Sequence, residues 1–229
     1  MKQVFIIHGW TYNLEKWEPL IQNLKERGIE PILLKVPGLT ASSNQVWDIN
    51  GYIDWLSEQL ADIQNPVVIG HSNGGRIALA FINVYPDKIG RLILIDSAGI
   101  AHNQLRSVTK LKTLKYLAKV GKPFSKIPGV RKVVYKTIGA RDYYEASPNM
   151  RLTMRNMLAA DQRIDFNKIK LPVTIIWGRQ DTITPISDGE AMQRQISGSK
   201  LQVINDARHA PFFNHPQEVA DLIEKAIQD

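Results

Sequence analysis

Residues 67–80 read VVIGHSNGGRIALA. An apolar, β-branched run enters Gly70-His71-Ser72-Asn73-Gly74, and a helical pattern starts directly after it. A G-x-S-x-G turn between a buried strand and a helix lifts its serine clear of the sheet on a strained backbone. Glycines flank such a turn where a Cβ would strike the neighbouring strand or helix. The amide after the serine, that of Asn73, falls at the helix N-terminus, where N–H groups face developing negative charge. Ser72 is therefore the candidate nucleophile. The competing reading is a packing turn that only needs small residues.

Working outward, short apolar runs at 4–7, 32–36, 67–69, 92–95, 173–177 and 201–204 are rich in Val and Ile and do not alternate with polar residues. That pattern predicts buried strands of a parallel sheet. Helix-period stretches at 14–27, 51–63, 74–85, 186–197 and 216–227 lie between or after them. The fold class expected is α/β, a doubly wound, mostly parallel six-stranded sheet. Between 95 and 173 no strand core appears, and the spacing predicts helices over 104–120, 128–138 and 148–160, broken by Pro123, Pro128 and Pro148. The expected organisation is a core of residues 1–99 and 166–229 with a helical lid, 100–165, inserted after the fourth strand.

A serine alcohol needs a base to act at neutral pH. The histidines are His8, His71, His102, His209 and His215. His209, in DARHAPFFNHP, lies just past the last strand, at the sheet edge where open parallel sheets place their ligands. His71 adjoins Ser72 but points away from it; with Trp10 it is taken as a substrate contact. His102 opens the insertion, and His215 reads as a loop or helix-cap residue. The base needs an acid to fix its tautomer. Asp181, in IIWGRQDTITP, follows the fifth strand, and Asp96, in LILIDSAG, follows the fourth and competes with it. Asp206 sits too near His209 along the chain. The order Ser72, Asp181, His209 favours Asp181.

With these motifs in place, the sequence resembles the α/β-hydrolase superfamily, in particular its compact lid-bearing serine esterases, over nearly the whole chain. HGW at 8–10 is similar to the family's oxyanion-hole motif, LPVTIIWGRQDTITP to its acid loop, and RHAPFFNHPQEVADLIEKAI to its histidine loop and final helix. The resemblance implies an oxyanion hole made by the backbone N–H groups of Trp10 and Asn73, and a carboxylesterase-like activity on small to medium acyl esters or lactones. It also leaves open carbon–carbon bond hydrolysis of vinylogous diketones and a non-catalytic ligand receptor. Asn214 stands where many relatives carry an acidic residue.

Composition narrows the classes. The chain has 229 residues and no cysteine, so neither disulfides nor a thiolate nucleophile is available. There is no run of about 18 apolar residues to span a membrane. The first strand run is shorter than the roughly 7–15 apolar residues of a secretory signal, so a cytoplasmic location is expected. No metal-ligand cluster and no nucleotide fingerprint stands out, and no cofactor is expected. The net charge is +7, with 16 Lys/Arg and 4 Asp/Glu in residues 100–170 against 13 and 18 elsewhere. SVTKLKTLKYLAKVGK at 107–122 reads as a basic amphipathic helix. Its apolar stripe suits the underside of a lid and its lysines a solvated face. Contact with an anionic membrane surface is the sharper reading and is not the expected one. No nucleic-acid partner is expected, only a small-molecule ester substrate.

Overall fold

The computed structural model describes residues 3–102 and 146–229. Within them, six strands pair side by side in the order β2-β1-β3-β4-β5-β6, all parallel. These are β1 (Val4–Ile7), β2 (Pro31–Leu33), β3 (Val67–His71), β4 (Arg91–Ile95), β5 (Val173–Gly178) and β6 (Lys200–Ile204). The helices are α1 (Glu18–Glu26), α2 (Ile49–Gln59), α3 (Asn73–Val84), α4 (Pro148–Ala160), α5 (Ile186–Gln195), α6 (Pro211–Asn214) and α7 (Pro216–Gln228). The expected lid helices over 104–120 and 128–138 fall outside the described residues. The third, 148–160, is α4, where Ser147 caps the Met150 N–H and Pro148 takes the first turn.

Successive side chains of a strand point to opposite faces, so an apolar run builds two cores at once. Val4, Ile6, Val67, Ile69, Ile93, Ile95 and Ile176 pack with Trp17, Leu20 and Leu24 beside α1 and with Val219, Ala220 and Ile223 of α7. Phe5, Ile7, Val68, Leu92, Leu94, Ile175 and Trp177 face the other way, onto α2, α3 and the Met192 of α5. This two-sided burial explains why the central runs show no alternation.

The outer strands depart from expectation. Of the run at 32–36 only Ile32 and Leu33 pair with β1, and β2 is partly exposed at the sheet edge. Beyond it Leu34 and Val36 still reach the core, but the Val36 N–H turns to the Thr40 hydroxyl. β6 forms the opposite edge and is buried only at Ile204. Among the described residues no helix is long and apolar enough to cross a membrane. The chain leaves β1 towards β2 on one side and returns to β3 on the other. The sheet's winding thus reverses between β1 and β3, and the C-terminal ends of these two strands hold the candidate site.

Candidate active site

Ser72 occupies the first position after β3 with φ 50° and ψ −117°, a conformation that costs a non-glycine residue of order 1–3 kcal/mol. Its surroundings force the turn. A Cβ on Gly70 would stand 2.6 Å from Gly75 Cα, and one on Gly74 would stand 2.0 Å from the Ile7 carbonyl oxygen. The bare glycines let the start of α3 press against both β3 and the end of β1. The chain leaving β1 then crosses the elbow, with a Cβ position on Gly9 only 2.9 Å from Ser72 Cβ. Trp10 is brought beside Ser72 in this way. Asn73 is the first residue of α3, and N–H groups of a first turn lack intrahelical acceptors.

The loops after β5 and β6 complete the arrangement. His209 Nε2 lies 3.1 Å from Ser72 Oγ. His209 Nδ1 lies 2.7 Å from Asp181 Oδ2. Asp181 is buried and acceptor-rich: its Oδ1 takes the N–H groups of Ile183 at 2.7 Å and Thr184 at 3.1 Å. Because Nδ1–H donates to that carboxylate, Nε2 is free to accept the serine proton. The structure brings together Ser72, Asp181 and His209, residues from three separate loops, in a hydrogen-bonded line. Such a line can carry a proton from an attacking hydroxyl onto an imidazole.

His71 lies elsewhere than a substrate contact requires. Its ring is buried beneath His209, where Nε2–H donates to the His209 carbonyl at 2.8 Å, and its edge meets Trp17 and Phe212. It does not line the cavity described below. The alternation of β3 explains this, since neighbouring residues face opposite ways. Burial, with His209 adding to it, holds its pKa well below the ordinary 6.5, so it stays neutral. His8 is likewise buried and lowered; Nδ1–H donates to the Gly9 carbonyl at 2.7 Å and Nε2 accepts from Thr40 at 2.7 Å. Asp206 is exposed on the turn after β6, and His215 immediately precedes α7. Among the described residues the one group of three or more metal-ligating side chains with their atoms within 4.8 Å of one another is His71, Asp96 and His209. Much of their bonding is internal: His71 to the His209 carbonyl, Asp96 Oδ1 to the Gly178 N–H at 2.8 Å, and His209 to Asp181 and Ser72.

A cavity of about 270 Å³ opens at Ser72, walled by Trp10, Ile100, Met154, Met157, Leu158 and Ile183. Trp10 thus sits where a substrate contact was expected. Two polar pairs interrupt the apolar wall. Arg76 donates to Asp161 through Nε at 2.6 Å and Nη2 at 3.0 Å, and to Asn73 Oδ1 through Nη1 at 2.6 Å. His102 Nε2 meets Asp188 Oδ2 at 2.9 Å, and burial raises the Asp188 carboxyl above its usual range. Sequence reading missed Arg76, Asp161 and Asp188, whose pairing links distant segments. It also missed Thr184, three residues after Asp181, whose position in DTIT was the available signal.

Known proteins with this geometry can now be compared. The profile of the family described as alpha/beta hydrolase fold matches residues 2–123 and 131–216. A pimeloyl-[acyl-carrier protein] methyl ester esterase of Neisseria meningitidis serogroup C is 28% identical over 247 residues, covering 100% of this chain and 94% of that protein. An uncharacterized protein of Mycobacterium tuberculosis is 24% identical, covering 97% of this chain and 74% of its own length. Among solved structures, an esterase from Exiguobacterium antarcticum superposes with a TM-score of 0.72 at 21% identity, over 100% of this chain and 92% of that one. A bromoperoxidase from Bacillus anthracis gives 0.72 at 23%, with the same coverage. The sheet order, the glycine-bounded turn after β3 and a profile match across most of the sequence converge: this chain belongs to the alpha/beta hydrolase fold family.

Proposed function

We propose that the chain is a serine hydrolase of carboxylic esters that works through an acyl-enzyme. The observation that carries this reading is the unbroken line from Ser72 Oγ to His209 Nε2 at 3.1 Å and from His209 Nδ1 to Asp181 Oδ2 at 2.7 Å. In it Ser72 attacks the acyl carbonyl while His209 takes its proton. Asp181 holds the imidazole and balances its charge. The N–H groups of Trp10 and Asn73 receive the oxyanion; a single such donor contributes about 10²–10³ in rate. His209 then protonates the departing alcohol, and a water that it activates releases the acid.

The cavity supports small to medium acyl groups, since about 270 Å³ is just below the roughly 300–1,000 Å³ of ligand pockets. The Neisseria relative, by its name, makes methyl esters of medium acyl chains the first substrates to try. Residues 100–165 belong to the same proposal as a cap. Met154, Met157 and Leu158 of α4 already wall the cavity.

An active-site fluorophosphonate probe tests the assignment. Wild-type protein should be labelled and Ser72→Ala should not. Equal labelling of the two, or none of the wild type, overturns it. A panel of p-nitrophenyl and methyl esters of rising chain length should then show an optimum at short to medium acyl groups.

A further inference from the structure

Three non-glycine residues have positive φ among those described, Asn65, Ser72 and Asp96, and the last two stand at the ends of adjacent strands beneath the same histidine. Asp96, at φ 41°, is fully buried. Its Oδ1 accepts the Gly178 N–H at 2.8 Å, whereas its Oδ2 is buried with no hydrogen-bond partner among the described residues. A buried carboxyl oxygen without a hydrogen-bond partner costs free energy that a simple packing role does not explain. One oxygen of this carboxyl lies within 4.8 Å of a ring nitrogen of His209. Its own carbonyl accepts the Thr184 hydroxyl at 3.1 Å, the hydroxyl that stands 2.7 Å from Asp181 Oδ2.

We infer that Asp96 is a second acid for His209, a carboxyl held beside the imidazole that takes over its support when Asp181 cannot supply it. The inference rests on the reading of Ser72 and His209 given above. The titratable groups facing Asp96 are His71 on β3, His209 after β6 and Asp181 after β5. Burial, opposed by the Gly178 N–H and reinforced by the nearby Asp181 carboxyl, pushes its carboxyl up to about 8, so it keeps its proton at neutral pH. Two carboxylates so placed cannot both ionise cheaply. Without the Asp181 charge one of the influences that hold the proton on Asp96 is lifted, and once ionised Asp96 can accept the Nδ1–H of His209. The serine proton still passes to Nε2 and from there to the leaving alcohol, so the proton count of the reaction is unchanged.

The rate of fluorophosphonate labelling reads this without knowledge of the substrate. Wild type, Asp96→Asn, Asp181→Asn and the double variant are compared at pH 7.5, with thermal melts confirming that each is folded. Asp96→Asn should slow labelling at least tenfold more in the Asp181→Asn background than in the wild-type one. An equal factor in both backgrounds overturns the inference. Asp181→Ala, with Asp96 intact, gives a second measure that needs no change at the buried site. Its rate relative to wild type should climb at least tenfold from pH 6.5 to pH 9, and a flat ratio sinks the idea. Failure of wild type to label removes the serine assignment itself, whereas normal wild-type labelling without these couplings removes the second acid alone.

Discussion

The Thr184 hydroxyl stands 2.7 Å from Asp181 Oδ2, 3.2 Å from His209 Nδ1 and 3.1 Å from the Asp96 carbonyl. With one proton to give and three neighbours, it fixes where the acid and the imidazole meet. Thr184→Val keeps the shape and removes the hydroxyl, leaving a buried acceptor short of a donor at roughly 1–3 kcal/mol. We expect kcat for a p-nitrophenyl ester to fall about tenfold with KM little changed, since the residue positions the proton relay rather than the acyl group. A rise in KM at constant kcat would show that Thr184 serves binding instead. This residue also marks a limit of sequence reading. Ser72, Asp181 and His209 could be picked out because each follows an apolar run that ends at the same sheet edge. Thr184 has no such marker, and its part is decided by how the acid loop folds back. His71 was misplaced for a related reason: closeness to Ser72 along the chain suggested the cavity, but strand alternation turns it to the opposite side, under His209.

At the scale of elements, the segment from α4 to β5 is tied to the core by polar bonds as well as by the buried Met150, Met157, Phe166 and Ile169. Arg76 on α3 holds Asp161 at the end of α4 through two bonds. Asn83, nearly two turns further along α3, and Asp165 exchange bonds of 2.7 and 3.1 Å. Thr153 and Asn156 of α4 bond the backbone of Trp47. Arg76 and Asp161 have side chains only 7% and 11% exposed, so this is a desolvated pair. Removing one partner of such a pair costs about 3–5 kcal/mol, because the other charge is left buried alone. Arg76→Met should therefore lower the urea unfolding free energy by about that amount, and Arg76→Met/Asp161→Leu should recover most of it. If the double variant is no more stable than the single, the penalty is not an orphaned charge. The central strands were legible in the sequence because each buries both faces. The edges were not, because the apolar residues at 32–36 serve the core from a turn as well as from a strand. Pairs such as Arg76 with Asp161 join positions 85 apart, and no periodicity carries that information.

For the whole molecule, buried titratable groups shape the dependence of stability on pH. His8 and His71 are held below their ordinary 6.5 by burial. The unfolded chain therefore takes up protons below pH 6.5 that the folded chain refuses, and the stability present above 6.5 is lost as pH falls. Asp96 acts in the other direction. Folded, it keeps its proton up to about 8; unfolded, it releases it above its ordinary 3.8. The folded state thus binds one proton more across that window, and stability falls as pH rises through it. Asp188, raised by burial, adds to this decline. Between pH 6.5 and 8 the two histidines shed their last protons in the unfolded chain in wild type and variant alike, so the Asp96 slope, at roughly 1.4 kcal/mol per pH unit per proton, is read as the difference between wild type and Asp96→Asn. Urea unfolding of wild-type protein should then lose about 2 kcal/mol between pH 6.5 and pH 8 relative to Asp96→Asn. Asp96→Asn keeps the Gly178 hydrogen bond but cannot titrate, and it should lack that loss. Below pH 6.5 both proteins weaken as His8 and His71 take up protons in the unfolded chain, and wild type weakens less, because Asp96 opposes that loss down towards its ordinary 3.8. Parallel curves for the two above pH 6.5 would mean that Asp96 is ionised in the folded protein, a second full charge lying beside that of Asp181.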